Sequence, residues 1–344
     1  MNAPKQPLAG QVTVVAGATR GAGRGIARML GAAGATVYCT GRSVTGHPAT
    51  AGRTETIDET AAMVTAEGGR GIAVRTDHTV EPEVERLFGR IGAEQGRLDV
   101  LVNDIWGGDE LTEWGLPFWE LSTAKGLEML ERAVHSHLIT SRHGAPLMIE
   151  RNAGLIVEVT DGDTLGYRGN LFYDLAKTAV IRLACAMAAD LHAHRVTALA
   201  ITPGFLRSEA VLDRFGVTEA NWRDGIQEDP YFAESETPCY VGRAVAALAA
   251  DPRVANKSGG LLSSWALAKE YGFADLDGRR PDWGTFFARK VQAIVRRNTP
   301  PDEMDVFVVR SRLQQAELDP SAADEAAHLR AWLEQSSNTP NEAP

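Results

Sequence analysis

The chain has 344 residues, 44% of them apolar, enough to bury the core of one large α/β domain or two small ones. Its formal charge of −10 argues against a nucleic acid or an anionic membrane as the main partner, since both call for basic patches. An anionic cofactor stays compatible with that balance, because a local pocket can be positive on an acidic protein.

In chain order, strands are expected at 11–18, 35–41, 71–77, 98–104, 154–160, 196–204 and 259–267. Their apolar character is nearly continuous rather than alternating, as in strands covered on both faces. Helical patterns fill 22–33, 55–67, 81–95, 124–150, 171–193 and 240–250. This rhythm predicts an α/β fold: a doubly wound, Rossmann-type parallel sheet of about seven strands with helices on both faces and right-handed crossovers. Residues 1–281 read as one domain and 282–344 as a C-terminal extension. In the extension, "FFARKVQAIVRR" reads as an amphipathic helix and "VFVVR" (306–310) as a strand or extended arm. "SAADEAAHLRAWLEQ" reads as a second helix with a capping box from Ser321 to Asp324, and the end "SSNTPNEAP" as disordered. The extension is expected to pack on the main domain or on a neighbouring subunit.

The first strand runs into "AGATRGAGRG" and then a helix. Gly17, Thr19, Arg20, Gly21 and Gly23 form the expected cofactor loop, with Gly25 behind. Gly17 ends the strand, Gly21 lets a pyrophosphate approach the backbone, and Gly23 lets the helix pack on the sheet. The helix N-terminus offers free N–H groups and its dipole to phosphate. The second strand ends in Arg42 and Ser43, where a carboxylate would bind a ribose 2′-hydroxyl and repel a 2′-phosphate. With Arg20 in the loop, two guanidinium groups are available to a phosphate, which favours NADP(H) over NAD(H). Asp77, after the third strand, is placed to accept from the adenine amino group, and Asn103, after the fourth, to brace the cofactor ribose region.

"YDLAK" sets Tyr173 and Lys177 four residues apart, on one helical face. With the glycine loop, Asp77, "VNDIW" and "TPGFLRS" (202–208), the chain resembles the short-chain dehydrogenase/reductase family over residues 8–270. "SSWALAKEYGFADLDGRRP" (263–281) resembles the C-terminal end of a subgroup with mammalian members. The resemblance implies that Tyr173 is the acid in carbonyl reduction and the base in alcohol oxidation. It implies that Lys177 holds the nicotinamide ribose and lowers the tyrosine pKa. It also places Pro203 and Gly204 beside the nicotinamide, with Thr202 or Ser208 nearby.

Two positions depart from the family pattern. Where it has two serines, this chain has Thr160 and Asp161, the second twelve residues before Tyr173. An ionised Asp161 about 5 Å from the phenol would repel the phenolate by roughly 3 kcal/mol. Asp161 therefore either is protonated and donates to the carbonyl, or is ionised and recognises a cationic or hydroxylated substrate, or points away and leaves the role to Thr160 or water. The family's helical asparagine is missing as well. Glu131, His135 and His137 are the polar residues near its place, and the sequence does not choose among them.

Two aromatic-rich stretches, 104–122 and 205–238, lie at carboxyl ends of strands and suggest a bulky or apolar carbonyl or alcohol substrate. Cys39, Cys185 and Cys239 read as free thiols of a cytoplasmic protein, and no metal is expected. No signal peptide and no stretch long enough for a membrane span is expected. The resemblance implies a homodimer or homotetramer through 124–150 and 171–193. The sequence thus points to an NADP(H)-dependent oxidoreductase. A catalytically weak NADP-binding sensor and a non-redox dehydratase or epimerase are the rivals.

Overall fold

The computed structural model describes residues 6–163, 166–297, 303–317 and 320–337. The first half alternates β1 (Val12–Ala16), α1 (Gly21–Ala32), β2 (Thr36–Gly41), α2 (Ile57–Ala66), β3 (Arg70–Arg75) and α3 (Glu81–Gln95). Then follow β4 (Val100–Asn103), α4 (Thr123–Leu130), α5 (Ser136–Ile149), β5 (Gly154–Val159), α6 (Leu171–Leu191) and β6 (Val196–Thr202). A short α7 (Glu209–Arg214), α8 (Pro238–Ala250), β7 (Leu261–Ser263) and α9 (Ser264–Tyr271) complete the α/β body. Helices α10 (Trp283–Arg296), α11 (Glu303–Glu317) and α12 (Ala323–Ser337) form the extension.

The strands make one seven-stranded sheet in the order β3-β2-β1-β4-β5-β6-β7, with every pairing parallel. Every residue of β1 and β6 is buried, which explains their unbroken apolar runs. One apolar layer gathers Val15, Ile26, Val37, Val157, Leu199 and Val245. The other gathers Val14, Tyr38, Leu87, Phe88, Leu101 and Ile156. The strand order reverses between β1 and β4, so the crevice at their carboxyl ends is the natural ligand site of this topology.

Three elements differ from the sequence expectations. The seventh strand stops at Ser263, because the Ser263 hydroxyl accepts from Ala266 N–H and caps α9. The helix expected over 124–150 is interrupted by a π-helical turn at Glu131–His135 between α4 and α5. "VFVVR" is neither strand nor arm but part of α11. Val308 and Val309 join Val291 and Ile294 of α10 and Leu329 of α12 in a separate apolar cluster, so packing overrides the strand preference of a β-branched run. Ser321 falls in a 3₁₀ turn ahead of α12, and the chain end from 338 on lies outside the described residues.

The extension packs on the main domain. Trp283 packs on Phe205 at a centroid distance of 5.9 Å, Phe287 on Tyr231 at 6.4 Å, and Asp282 N–H donates to Glu234 at 2.8 Å.

Candidate active site

The glycine loop is shaped by backbone meeting backbone. Gly17 has φ +92°, and a Cβ there would lie 2.3 Å from the Asp104 carbonyl. A Cβ on Gly23 would lie 2.3 Å from the Gly17 carbonyl, so Gly23 serves the tightness of the loop itself rather than helix-on-sheet packing. Helix packing falls to Gly25, whose Cβ would sit 2.0 Å from the Pro238 carbonyl at the start of α8. The first amide of α1, Gly21 N–H, donates to Glu209 Oε2 at 2.8 Å, with Arg24 3.6 Å from the same carboxylate. The helix end expected to meet a phosphate thus holds one of the chain's own anions.

A cavity of about 750 Å³ runs from this loop to Tyr173. Thr19, Arg20, Gly21, Arg42, Ser43 and Asp77 line one end. Arg20 donates to Thr50 Oγ1 at 3.4 Å, and Ser43 Oγ accepts from Ala49 N–H, which shapes the loop between them. Asp77 accepts from Thr79 N–H and Oγ1–H at 3.0 and 2.7 Å. Burial opposes its charge, yet those bonds and the nearby Arg42 hold its carboxyl below the ordinary value.

Asn103 does not reach the cavity. It is fully buried, and its amide donates to Ser141 Oγ at 2.8 Å and Glu158 Oε1 at 2.7 Å. The pleat of β4 turns it into the helix layer, and the next residue, Asp104, faces the cavity instead. Burial pushes the Asp104 carboxyl up to about 7, with Lys177 and Gly23 N–H pulling the other way.

Asn170 caps α6, its side chain accepting from the Phe172 and Tyr173 amides at 3.1 Å each. This starts the helix so that Tyr173 falls in its first turn and Lys177 one turn on. The Tyr173 ring meets Trp106 edge-on at 5.4 Å and Trp114 at 5.2 Å. Its hydroxyl donates to Asp161 Oδ2 at 2.8 Å. Asp161 is exposed. It points at the tyrosine rather than away from it. Arg168 Nε donates to the Asp161 carbonyl and Arg168 Nη1 to Asp174, at 2.5 and 2.9 Å, which fixes the loop. Thr160 does not take over the role of a donor to a ligand. It is 3% exposed and its hydroxyl donates to the Lys177 carbonyl at 2.7 Å.

The net shift on Tyr173 runs upward, whereas the resemblance implies a lowering by Lys177. Burial and then the adjoining Asp161 carboxylate push the Tyr173 hydroxyl well above its ordinary value. The Lys177 ammonium lies instead over the Trp106 ring, 4.1 Å from its centroid, and burial lowers its pKa against the pull of Asp161 and Asp104. Among the three residues considered for the missing asparagine, Glu131 and His135 are exposed, whereas His137 is buried. Its ring bonds Glu158 Oε2 at 2.5 Å and the Ile105 carbonyl at 2.9 Å. A cavity of about 10 Å³, room for roughly one water, separates it from Lys177.

Pro203 and Gly204 line the cavity, and Gly204 N–H donates to the buried Glu236 at 2.9 Å. Ser208 lines it too, but Thr202 is fully buried and accepts from Gly162 N–H. The aromatic stretches divide. Trp106, Phe205 and Tyr231 face the cavity, whereas Trp222 and Phe232 pack their own loop and Phe118 and Trp119 are exposed. The extension supplies the remaining wall, through Trp283, Phe287, Met304, Phe307, Val308 and Gln315. Asp104, Arg168, Glu209 and this helical wall were not singled out from the sequence. Only the quoted "VNDIW" carried any trace of them, through Asp104.

Among the described residues, no three His, Cys, Asp or Glu side chains gather as a metal site, and no helix is long and apolar enough to cross a membrane. The order of elements, the glycine cradle and the tyrosine–lysine pair over one cavity define a dinucleotide-dependent dehydrogenase/reductase, and the short chain dehydrogenase family matches residues 11–215. The chain belongs to that family. It is 38% identical to dehydrogenase/reductase SDR family member 1 of Mus musculus and 36% to that of Homo sapiens, over 79% of this chain and 85% of each relative. A 7α-hydroxysteroid dehydrogenase solved with NADH and 7-oxo glycochenodeoxycholic acid superimposes with a TM-score of 0.61 at 25% identity. That match covers 76% of this chain and 96% of that one.

Proposed function

We propose that the protein is an NADP(H)-dependent oxidoreductase that interconverts a carbonyl and an alcohol, with Tyr173 exchanging the proton. The observation that carries this reading is the single cavity of about 750 Å³ with Arg20 and Arg42 at one end and Tyr173 and Lys177 at the other. A nicotinamide dinucleotide fits these residues. The glycines keep Cβ atoms out of the cradle, and Gly21 N–H, which here holds the Glu209 carboxylate, suits a phosphate oxygen. The bound nicotinamide supplies or takes the hydride.

Around it, Arg20 and Arg42 hold the 2′-phosphate, which separates NADP(H) from NAD(H). Lys177, Pro203 and Gly204 border the nicotinamide end, and His137 takes the place of the missing asparagine behind Lys177. The walls from Phe205, Tyr231, Phe287 and Phe307 exclude water and suit a bulky, apolar substrate. Residues 1–281 serve as the dinucleotide-binding domain and 282–344 as its extension. Exposed Leu127, Leu138 and Leu175 on α4, α5 and α6 support association with further copies of the chain, as a homodimer or homotetramer.

The test is a fluorescence titration with NADPH and NADH, followed by turnover on bulky ketones and alcohols with wild type and Tyr173→Phe. NADPH should bind at least about tenfold more tightly than NADH, and Tyr173→Phe should keep binding while losing turnover. One observation favours a second reading, a cofactor-binding protein with weak catalysis: the tyrosine proton is already committed to Asp161. Tight NADPH binding with no turnover on any probe would select that reading.

A further inference from the structure

A phenol has one proton to give. In Tyr173 that proton is engaged by Asp161 Oδ2 at 2.8 Å, so what the hydroxyl offers a ligand in the cavity is a lone pair. Among the described residues, two neighbouring donors are turned elsewhere. The Thr160 hydroxyl is spent on the Lys177 carbonyl, and the Lys177 ammonium lies against the face of Trp106. The charged groups facing Tyr173 are Asp161 and Arg168 from the loop after β5, and Asp109 from the 3₁₀ turn after β4. Lys177, on α6, faces Asp161, Asp104 and Asp109. A site of this kind suits a ligand that brings its own proton.

We propose that Asp161 is the proton acceptor of the reaction and that the site is arranged to oxidise an alcohol, passing the alcohol proton through Tyr173 Oη to Asp161. This rests on the oxidoreductase reading above. The balance closes with an oxidised nicotinamide dinucleotide as co-reactant. The substrate C–H bond breaks and its electron pair leaves as hydride to that co-reactant, which is reduced. The substrate O–H proton moves to Tyr173 Oη as the phenol's own proton moves to Asp161 Oδ2, and the C=O bond forms. Asp161, being exposed, returns the proton to water.

Tyr173 stays a neutral phenol throughout. The burial and the carboxylate that make its phenolate costly therefore do not impede this direction. A site lacking the carboxylate would need the phenolate, and its oxidation rate would climb with pH. Here the rate needs only an ionised Asp161. It therefore does not climb on the alkaline side.

The experiment follows NADP⁺-dependent oxidation of 2-tetralol and NADPH-dependent reduction of 2-tetralone across roughly pH 5 to 9, with wild type, Asp161→Asn and Asp161→Ser. Wild type should oxidise with a rate that does not rise in the alkaline range. Asp161→Asn should lose about 10²-fold in oxidation at neutral pH and recover toward alkaline pH. Asp161→Ser should reduce the ketone faster than wild type. Oxidation by Asp161→Asn as fast as wild type overturns the proposal, as does a wild-type rate that climbs about tenfold per pH unit.

If neither probe turns over, the phenolate ultraviolet band of wild type minus Tyr173→Phe decides. Tyr173 should resist ionisation in wild type and ionise at lower pH in Asp161→Asn. Identical titration in the two would overturn the proposal. Failure to bind NADPH would instead sink the oxidoreductase reading.

Discussion

At the glycine-loop end of the cavity the walls are backbone. Gly17, Gly23 and Gly25 each approach a carbonyl so closely that an added Cβ would lie within 2.3 Å of it. At the tyrosine end the walls are side chains from separate segments: Trp106 after β4, Asp161 after β5, Phe205 after β6 and Phe307 of α11. The first end admits one residue type at each contact. The second can be rebuilt by substitution without moving the frame. The cofactor end therefore carries the constraint and the tyrosine end the particularity of this protein.

The largest expected effect is a methyl group added at the cofactor end, set against an exposed aromatic outside the cavity. Gly25→Ala drives a carbon into the Pro238 carbonyl, which α8 holds in place. It should cost about 3 kcal/mol in a denaturant titration, whereas Trp119→Ala, 71% exposed, should stay within about 0.5 kcal/mol. Next in size is the phosphate grip. Arg42→Ala should weaken NADPH binding about 30-fold and NADH binding no more than about threefold, read by fluorescence titration. Equal losses for both cofactors would detach Arg42 from the 2′-phosphate.

On the substrate side, Phe307→Ala removes a half-exposed ring from the cavity wall. KM for 2-tetralone should rise about tenfold with kcat little changed, in steady-state kinetics. The smallest effect concerns the anion already seated at α1. Glu209→Gln removes the carboxylate charge at Gly21 N–H, so NADPH should bind about fivefold more tightly. Unchanged affinity would mean that Glu209 leaves the cradle at no cost.

The same contrast governs what could be read from the sequence. The sheet, its order of elements and the glycine loop follow from local pattern, since an apolar run and a glycine spacing state their own requirement. The tyrosine–lysine spacing was equally local. The failures are non-local. Asn103 turned inward because Ser141 and Glu158 wait behind it. Thr160 lost its hydroxyl to a carbonyl seventeen residues on. "VFVVR" became helical because α10 and α12 offered an apolar face. Lys177 turned to Trp106, seventy-one residues earlier in the chain. None of these partners is a sequence neighbour, so no window of the chain contains the reason.

The most direct test of the central claim, that Tyr173 and a bound nicotinamide act together on a carbonyl–alcohol pair, is label transfer. Wild type and Tyr173→Phe are each given NADPH deuterated at C4 and 2-tetralone, and the alcohol is analysed by mass spectrometry. Deuterium should appear on the carbinol carbon with wild type, and form about 10³-fold more slowly with Tyr173→Phe. NADPH that binds without passing its label, or label transfer at equal rates in both proteins, would contradict the account.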